Sequence, residues 1–209
     1  MRKSVKKETT HAGALVGVGG AAAAAFAVLT AKSLKPRTIL SDLRLRRLIP
    51  SYPRPARKAA FRFGLLGKEL AVIPAAGLIS AGLLRDGRKA GAAAILSATT
   101  SAIAASHIFD AVLPQKTPPP GRKAPFDPHF PSGHALHSAS LLAISAWVLT
   151  RENLADRKLI AAGAGASAFL LGVDRLIQDR HWPTDVLAGW LAAISIASFA
   201  ASGYERARR

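Results

Sequence analysis

The 209-residue sequence contains no cysteine, few aromatic residues and few acidic ones. Without cysteine the chain has no disulfide, no zinc–thiolate site and no thiol nucleophile. Aromatic residues make up 6% of the chain although 50% of it is hydrophobic, so the apolar content is mostly Ala, Leu, Ile and Val. Only 12 Asp and Glu oppose 29 Lys and Arg, a formal net charge of +17. A mean hydropathy of +0.21 argues against disorder and requires that charged and apolar residues be segregated along the chain.

Long stretches of the chain contain no charged residue at all. They are residues 12–31, 70–84, 90–109, 128–150 without its first, loop-like residues, 159–173 and 186–204. A helix that crosses a bilayer needs about 20 mostly apolar residues, and the shorter stretches reach that length if flanking residues snorkel or join the span. A soluble all-helical protein is disfavoured because the stretches show no polar face at the helical period. The sequence therefore predicts an all-α, polytopic membrane helix bundle with about six transmembrane helices.

The first apolar stretch allows two interpretations. Arg2, Lys3, Lys6 and Lys7 precede it, as in a signal peptide. Its apolar run is longer than the usual signal core of about 7–15 residues, which favours a retained membrane helix over a cleaved signal.

A basic segment, residues 32–68, follows the first stretch and contains eleven Lys and Arg residues. Leucines alternate with its arginines before several prolines interrupt the chain. One interpretation is an interfacial helix on anionic lipid headgroups, where each basic residue contributes about 1 kcal/mol; the other is a solvated basic loop. Nucleic-acid binding is disfavoured because no recognition motif accompanies the charge.

Two polar clusters lie where membrane helices are predicted to begin. Residues 130–134, Phe-Pro-Ser-Gly-His, open into one apolar stretch, and residues 174–185 open into the last. A proline-rich loop, residues 114–125, comes before the first cluster. The backbone N–H groups and the dipole at a helix N-terminus favour an anion. Two histidines, one aspartate and several cations at one face of the membrane indicate phosphoryl chemistry.

These motifs resemble those of the type-2 phosphatidic acid phosphatase family, which is related to the vanadium haloperoxidases and bacterial non-specific acid phosphatases. The family's Pro-Ser-Gly-His motif is complete at residues 131–134. Its third motif keeps Arg175, His181 and Asp185 at the family spacing. The resemblance covers residues 66–204 and divides the chain into an N-terminal membrane helix with the basic segment (1–65) and a phosphatase-like transmembrane catalytic domain (66–209).

The sequence departs from the family pattern at two places. Asp174 replaces the serine that usually precedes the third-motif arginine, and it either orients Arg175 or repels phosphate. In the first motif, counting from Lys116 leads to Lys123 followed by alanine instead of proline, with Arg122 one residue earlier. Either Arg122 or Lys123 supplies the second cation of that motif.

The resemblance implies a role for each motif residue. His181 would attack phosphorus and form a phosphohistidine, with Asp185 orienting its ring. His134 would protonate the leaving oxygen and later help to activate water. The remaining residues would bind the phosphate oxygens: Lys116, Arg122 or Lys123, Ser132, Gly133 and Arg175.

Other polar residues near the motifs are weaker candidates. His137 shares the helix face of His134, and His107 and Asp110 lie near the end of one stretch. The histidines at 129, 134 and 137 match no standard metal-site spacing, so we expect neither a metal nor another cofactor.

The sequence thus predicts an integral membrane lipid phosphatase. Candidate substrates are phosphatidic acid, phosphatidylglycerol phosphate and polyprenyl phosphates or diphosphates. The alternatives are a lipid-phosphate-binding membrane protein without turnover and, less compatible with membrane spans, a vanadate-dependent peroxidase. The basic residues in short loops and tails favour a multi-pass protein of the inner membrane whose active site faces away from the cytoplasm.

Overall fold

The computed structural model describes residues 2–33, 36–50, 52–114 and 129–208. These residues form eight α-helices and no strand. The helices are α1 (Arg2–Ser33), α2 (Pro36–Arg47), α3 (Arg54–Gly64), α4 (Glu69–Arg85), α5 (Lys89–Val112), α6 (Gly133–Arg151), α7 (Arg157–Ile177) and α8 (Pro183–Ala207). A short 3₁₀ helix, Leu65–Gly67, joins α3 to α4. The predicted all-α class is confirmed.

Helix α6 lies at the centre of the bundle. It packs against α5, α7 and α8, and α8 packs on its other side against α1. The core between these helices contains fully buried branched residues such as Ile95, Ile144 and Val148, with many alanines around them. Alanine lets helix backbones approach closely, as is usual in membrane bundles.

The outside of the bundle is apolar. Leu70, Leu78 and Leu159 are 88%, 76% and 76% exposed, while serines such as Ser140 and Ser198 are buried. A soluble protein rarely exposes so many large apolar side chains together. This distribution excludes the soluble alternative and identifies a multi-pass membrane protein.

Within the described part of the chain, four helical segments are long and apolar enough to span a membrane: His11–Ser33, Lys89–Val112, Arg157–Ile177 and Pro183–Ala207. A fifth span is possible where α3 and α4, bent by 49° at their junction, count as one. Helix α6 falls short by this measure because its sequence contains histidines and serines where a lipid-facing helix would carry leucine, and other helices enclose it on several sides.

The two ends of the bundle differ in chemistry. At one end Glu205, fully buried, accepts hydrogen bonds from Arg151 Nε at 2.7 Å and Trp147 Nε1 at 3.0 Å. Arg88 donates there to the backbone oxygen of Glu152 at 2.7 Å. The motif residues of α6 and α8 lie at the opposite end, because both helices begin there and run in the same direction.

Candidate active site

His181 and Asp185 form the centre of the site. His181 Nδ1 lies 3.5 Å from Asp185 Oδ2, and both side chains are essentially buried. Pro183 occupies the first turn of α8, where its missing N–H costs nothing, so the chain turns from His181 directly into helix. The four-residue spacing then places the carboxylate beside the imidazole.

Backbone hydrogen bonds fix this turn. Asp185 Oδ2 accepts from the Trp182 N–H at 2.9 Å, and the Asp185 N–H donates to the Trp182 oxygen at 3.0 Å. The first amides of α8 are therefore bonded within the protein. The sequence led us to expect an anion at this helix N-terminus, and the anion that the structure places there is the carboxylate of Asp42, which accepts from the Thr184 N–H.

The Pro-Ser-Gly-His motif is attached to the same turn. The Ser132 N–H donates to the backbone oxygen of Asp185 at 3.0 Å. A Cβ on Gly189 would lie 2.8 Å from the Ser132 oxygen, so only glycine permits this approach of α8 to the start of α6. Ser132 Oγ is fully buried and has no hydrogen-bond partner among the described residues. A buried hydroxyl of this kind is suited to a ligand oxygen.

Arg175 is paired with the residue that departs from the family pattern. Its Nε donates to Asp174 Oδ2 at 2.8 Å, and its Nη2 donates to the same oxygen. Gln178 Nε2 donates to the other Asp174 oxygen. Asp174 and Arg175 are both 2% exposed. Of the two roles open to Asp174, these contacts favour the orientation of Arg175.

A polar cleft of about 320 Å³ opens beside His134. Its lining residues come from α4, α5 and α6 and from the chain before α6: Lys68, Glu69, Leu70, Ser106, Asp110, His129, Gly133, His134 and His137. Glu69 Oε1 lies 3.2 Å from His107 Nε2 and 3.9 Å from His137 Nε2. The candidates His107, Asp110, His129 and His137 thus all lie in or beside the cleft.

The first motif lies outside the described residues. Lys116, Arg122 and Lys123 belong to the interval 115–128, so their roles stay predictions. The structure brings the other predicted site residues, Ser132, Gly133, His134, Arg175, His181 and Asp185, to one end of the bundle.

The sequence did not indicate that the basic segment contacts the third motif. Thr184, in the first turn of α8, donates to both carboxylate oxygens of Asp42. Arg46, one turn further along α2, forms a salt bridge with Asp179 in the turn between α7 and α8. Desolvation, and then the charge of Arg57, lower the pKa of Arg46. The only sequence signal was that Asp42 is the single acidic residue in residues 32–68.

Residues 90–209, more than half of the chain, match the PAP2 superfamily. The chain therefore belongs to the PAP2 superfamily, and the resemblance drawn from the motifs is confirmed.

Two solved structures share the fold. One is described as the first transmembrane PAP2 type phosphatidylglycerolphosphate phosphatase, from Bacillus subtilis; it is 19% identical, with a TM-score of 0.75 over 92% of this chain and 98% of that one. The other is LpxE from Aquifex aeolicus, which is 24% identical, with a TM-score of 0.53 over 76% of this chain and 93% of that one. No curated protein matches the chain.

Proposed function

We propose that this protein is a metal-independent lipid phosphatase that works through a phosphohistidine. The observation that carries the proposal is the buried His181–Asp185 pair, with the Pro-Ser-Gly-His motif hydrogen-bonded to the same turn. Membership of the PAP2 superfamily and the name of the Bacillus subtilis neighbour support a membrane phosphatase.

In the first step His181 Nε2 attacks phosphorus. The bond between phosphorus and the lipid oxygen breaks, and the leaving oxygen takes a proton from His134. Asp185 holds Nδ1 and stabilises the charge that the imidazole gains. In the second step His134 removes a proton from water, which attacks phosphorus and releases inorganic phosphate as the phosphorus–nitrogen bond breaks.

The phosphate oxygens need donors and positive charge in the transition state. Ser132 Oγ and the Gly133 N–H are the nearby neutral donors, and the Ser132 N–H is already bonded to Asp185. Arg175, held by Asp174, supplies one cation. Lys116 and either Arg122 or Lys123 supply the others.

The substrate is the phosphomonoester or diphosphate of a lipid. The cleft adjoins the exposed Leu70 at the start of α4, so an acyl or prenyl tail can remain in the lipid phase while the headgroup meets the cations. Phosphatidic acid, phosphatidylglycerol phosphate and polyprenyl diphosphate all have this form. We place the protein in the inner membrane with this end on the non-cytoplasmic face.

Phosphate release by purified protein in detergent tests the proposal. Each lipid phosphate is assayed with and without EDTA and vanadate. We expect turnover that EDTA leaves intact and vanadate inhibits, because a cationic pocket without a metal should bind a trigonal-bipyramidal mimic of the transition state. A requirement for Mg²⁺, abolished by EDTA and restored by Mg²⁺, would contradict metal independence.

His181→Ala is the essential control. Removing the nucleophile should lower kcat by at least about 10³-fold, because no neighbouring group replaces it. The elution profile in detergent should stay that of the folded protein. Substantial release by the folded variant would refute the assignment of His181.

The alternative is a lipid-phosphate-binding protein without turnover, and the observation behind it is Asp174 beside Arg175. Saturable binding of a lipid phosphate with no phosphate release from any member of the panel would support it.

A further inference from the structure

We infer that Asp42 is a positioning residue for the catalytic turn of α8, so that the basic segment is part of the active-site architecture. The inference rests on the proposed role of His181. It concerns a carboxylate that lies 142 positions before Thr184 in the sequence and belongs to none of the three motifs described above.

The contact between Asp42 and Thr184 uses both oxygens of the carboxylate. The Thr184 N–H donates to Oδ1 at 3.0 Å, and the Thr184 hydroxyl donates to Oδ2 at 2.6 Å. Asp42 is 2% exposed and Thr184 is 7% exposed. A buried carboxylate that accepts two hydrogen bonds holds its partner in position more strictly than a solvent-exposed capping residue does. Each hydrogen bond to a charged group is strong when water is excluded.

Thr184 lies between the two residues that matter for chemistry. His181 precedes it by three positions and Asp185 follows it directly. Asp185 already bonds the Trp182 N–H. The turn is therefore fixed by one of its own residues, Asp185, and by Asp42 from α2. Asp42 also places a negative charge at the positive end of the α8 dipole.

A second contact strengthens the attachment of α2. Arg46, four residues after Asp42 and so on the same face of the helix, pairs with Asp179. Asp179 has a φ of 61°, the left-handed region that reverses the chain between α7 and α8. α2 thus contacts both ends of the loop 179–184 that contains His181.

The consequence for catalysis follows from the geometry of attack. A small displacement of a nucleophile from its approach line costs about 10²-fold in rate. Loss of the Asp42 contacts should let the loop move, and the effect should appear in kcat, since Asp42 bonds Thr184 in the loop that contains the nucleophile, whereas Arg175 is bonded to Asp174.

The test compares two capping carboxylates of the same chain. Asp156 begins α7 at the opposite end of the bundle, and its Oδ1 accepts from the Lys158 and Leu159 N–H groups, both at 2.9 Å. Asp42→Ala and the matched control Asp156→Ala are purified in detergent with the full chain. We expect Asp42→Ala to lower kcat by about 10- to 100-fold with little change in KM, and Asp156→Ala to change neither.

Substitutions at Thr184 separate positioning from simple stability. Thr184→Ser keeps both the N–H and the hydroxyl donor and should retain most of the activity. Thr184→Val loses the hydroxyl and should have a lower kcat. Asp42→Asn keeps an acceptor for the Thr184 N–H and should fall between wild type and Asp42→Ala. These milder variants decide the matter even if Asp42→Ala does not fold.

Amide hydrogen exchange supplies a readout that needs no turnover. Peptides covering residues 178–186 should exchange faster in Asp42→Ala and Asp42→Asn than in the wild-type protein. Their exchange rate should be unchanged in Asp156→Ala. An Asp42→Asn protein with wild-type kcat would overturn the inference, whether or not exchange rises, because the contact would then be structural only. If the wild-type protein shows no turnover, the proposed function fails, and unchanged exchange in the variants would separately refute the anchoring by Asp42.

Discussion

At the scale of single residues, the proposed chemistry depends on the four-residue spacing of His181 and Asp185 across the entry into α8. The 3.5 Å between Nδ1 and Oδ2 arises because the chain turns at the extended Trp182 into α8, so that Asp185 in its first turn faces back toward His181. With Nδ1 beside Asp185, Nε2 is the nitrogen that we propose as the nucleophile. Asp174 differs from the usual serine because its carboxylate is negatively charged and has a second oxygen, which accepts a hydrogen bond from Gln178 while the first accepts from Arg175.

Arg122 and Lys123 should contribute unequally to phosphate binding. The surrounding prolines predict an extended loop, on which neighbouring side chains would point in opposite directions, so we expect only one of the two to share the pocket with Lys116. We favour Arg122, whose guanidinium binds two phosphate oxygens at once. Single Ala substitutions are compared by kcat/KM. Equal and large losses at both positions would show that the either/or picture is wrong.

At the scale of helices, the site depends on close approaches between pairs of them. α8 approaches the start of α6 at Gly189, and α3 approaches α7 at Gly64. A Cβ on Gly64 would lie 2.0 Å from Arg175 Nη2 and 2.2 Å from Asp174 Oδ2. α3 therefore supports the Asp174–Arg175 pair from behind.

Gly64→Ala should disturb Arg175 and lower kcat/KM by about 10- to 100-fold. Alanine in a helix is ordinarily favoured over glycine by about 0.5–1 kcal/mol, so a loss would come from the contact and not from helix propensity. Gly77→Ala in α4 is the matched control, because a Cβ there meets nothing within 4 Å. Equal activity of the two variants would show that α3 can shift to make room for the methyl group without moving Arg175.

At the scale of the whole molecule, the bundle separates two charged ends. Arg88, Arg151 and Arg208 donate to acidic or backbone oxygens at one end. Ser202 Oγ donates there to the backbone oxygen of Ala12 at 3.0 Å, which joins the N-terminal half of α1 to this end. The site and the basic segment share the other end. Positive charge therefore lies at both ends, and the positive-inside rule gives a divided result.

We predict that the active site faces away from the cytoplasm. The short loops and tails of the opposite end carry thirteen basic residues, and short segments dominate the rule. Because the chain has no cysteine, single cysteines at positions 117 and 153 can be labelled selectively. An impermeant reagent should label position 117 and not position 153 in intact cells. The reverse pattern would place the site in the cytoplasm.

Much of this protein followed from the sequence because the deciding information is local. Charge-free stretches predicted the membrane helices, since burial of backbone in lipid requires them to be helical. The spacing of His181 and Asp185 predicted their pairing, and the Pro-Ser-Gly-His motif identified the family.

The remainder was decided by contacts between distant parts of the chain. Nothing in the local pattern distinguished Asp42 from a counter-charge of the basic segment, yet the fold buries it against Thr184. Nor could the sequence show that Glu69 lies between His107 and His137, or that Gly64 has no room for a side chain. Helical periodicity specifies which face of each helix is apolar, whereas the packing of one helix on another determines which polar residues meet, and only the tertiary structure contains that packing.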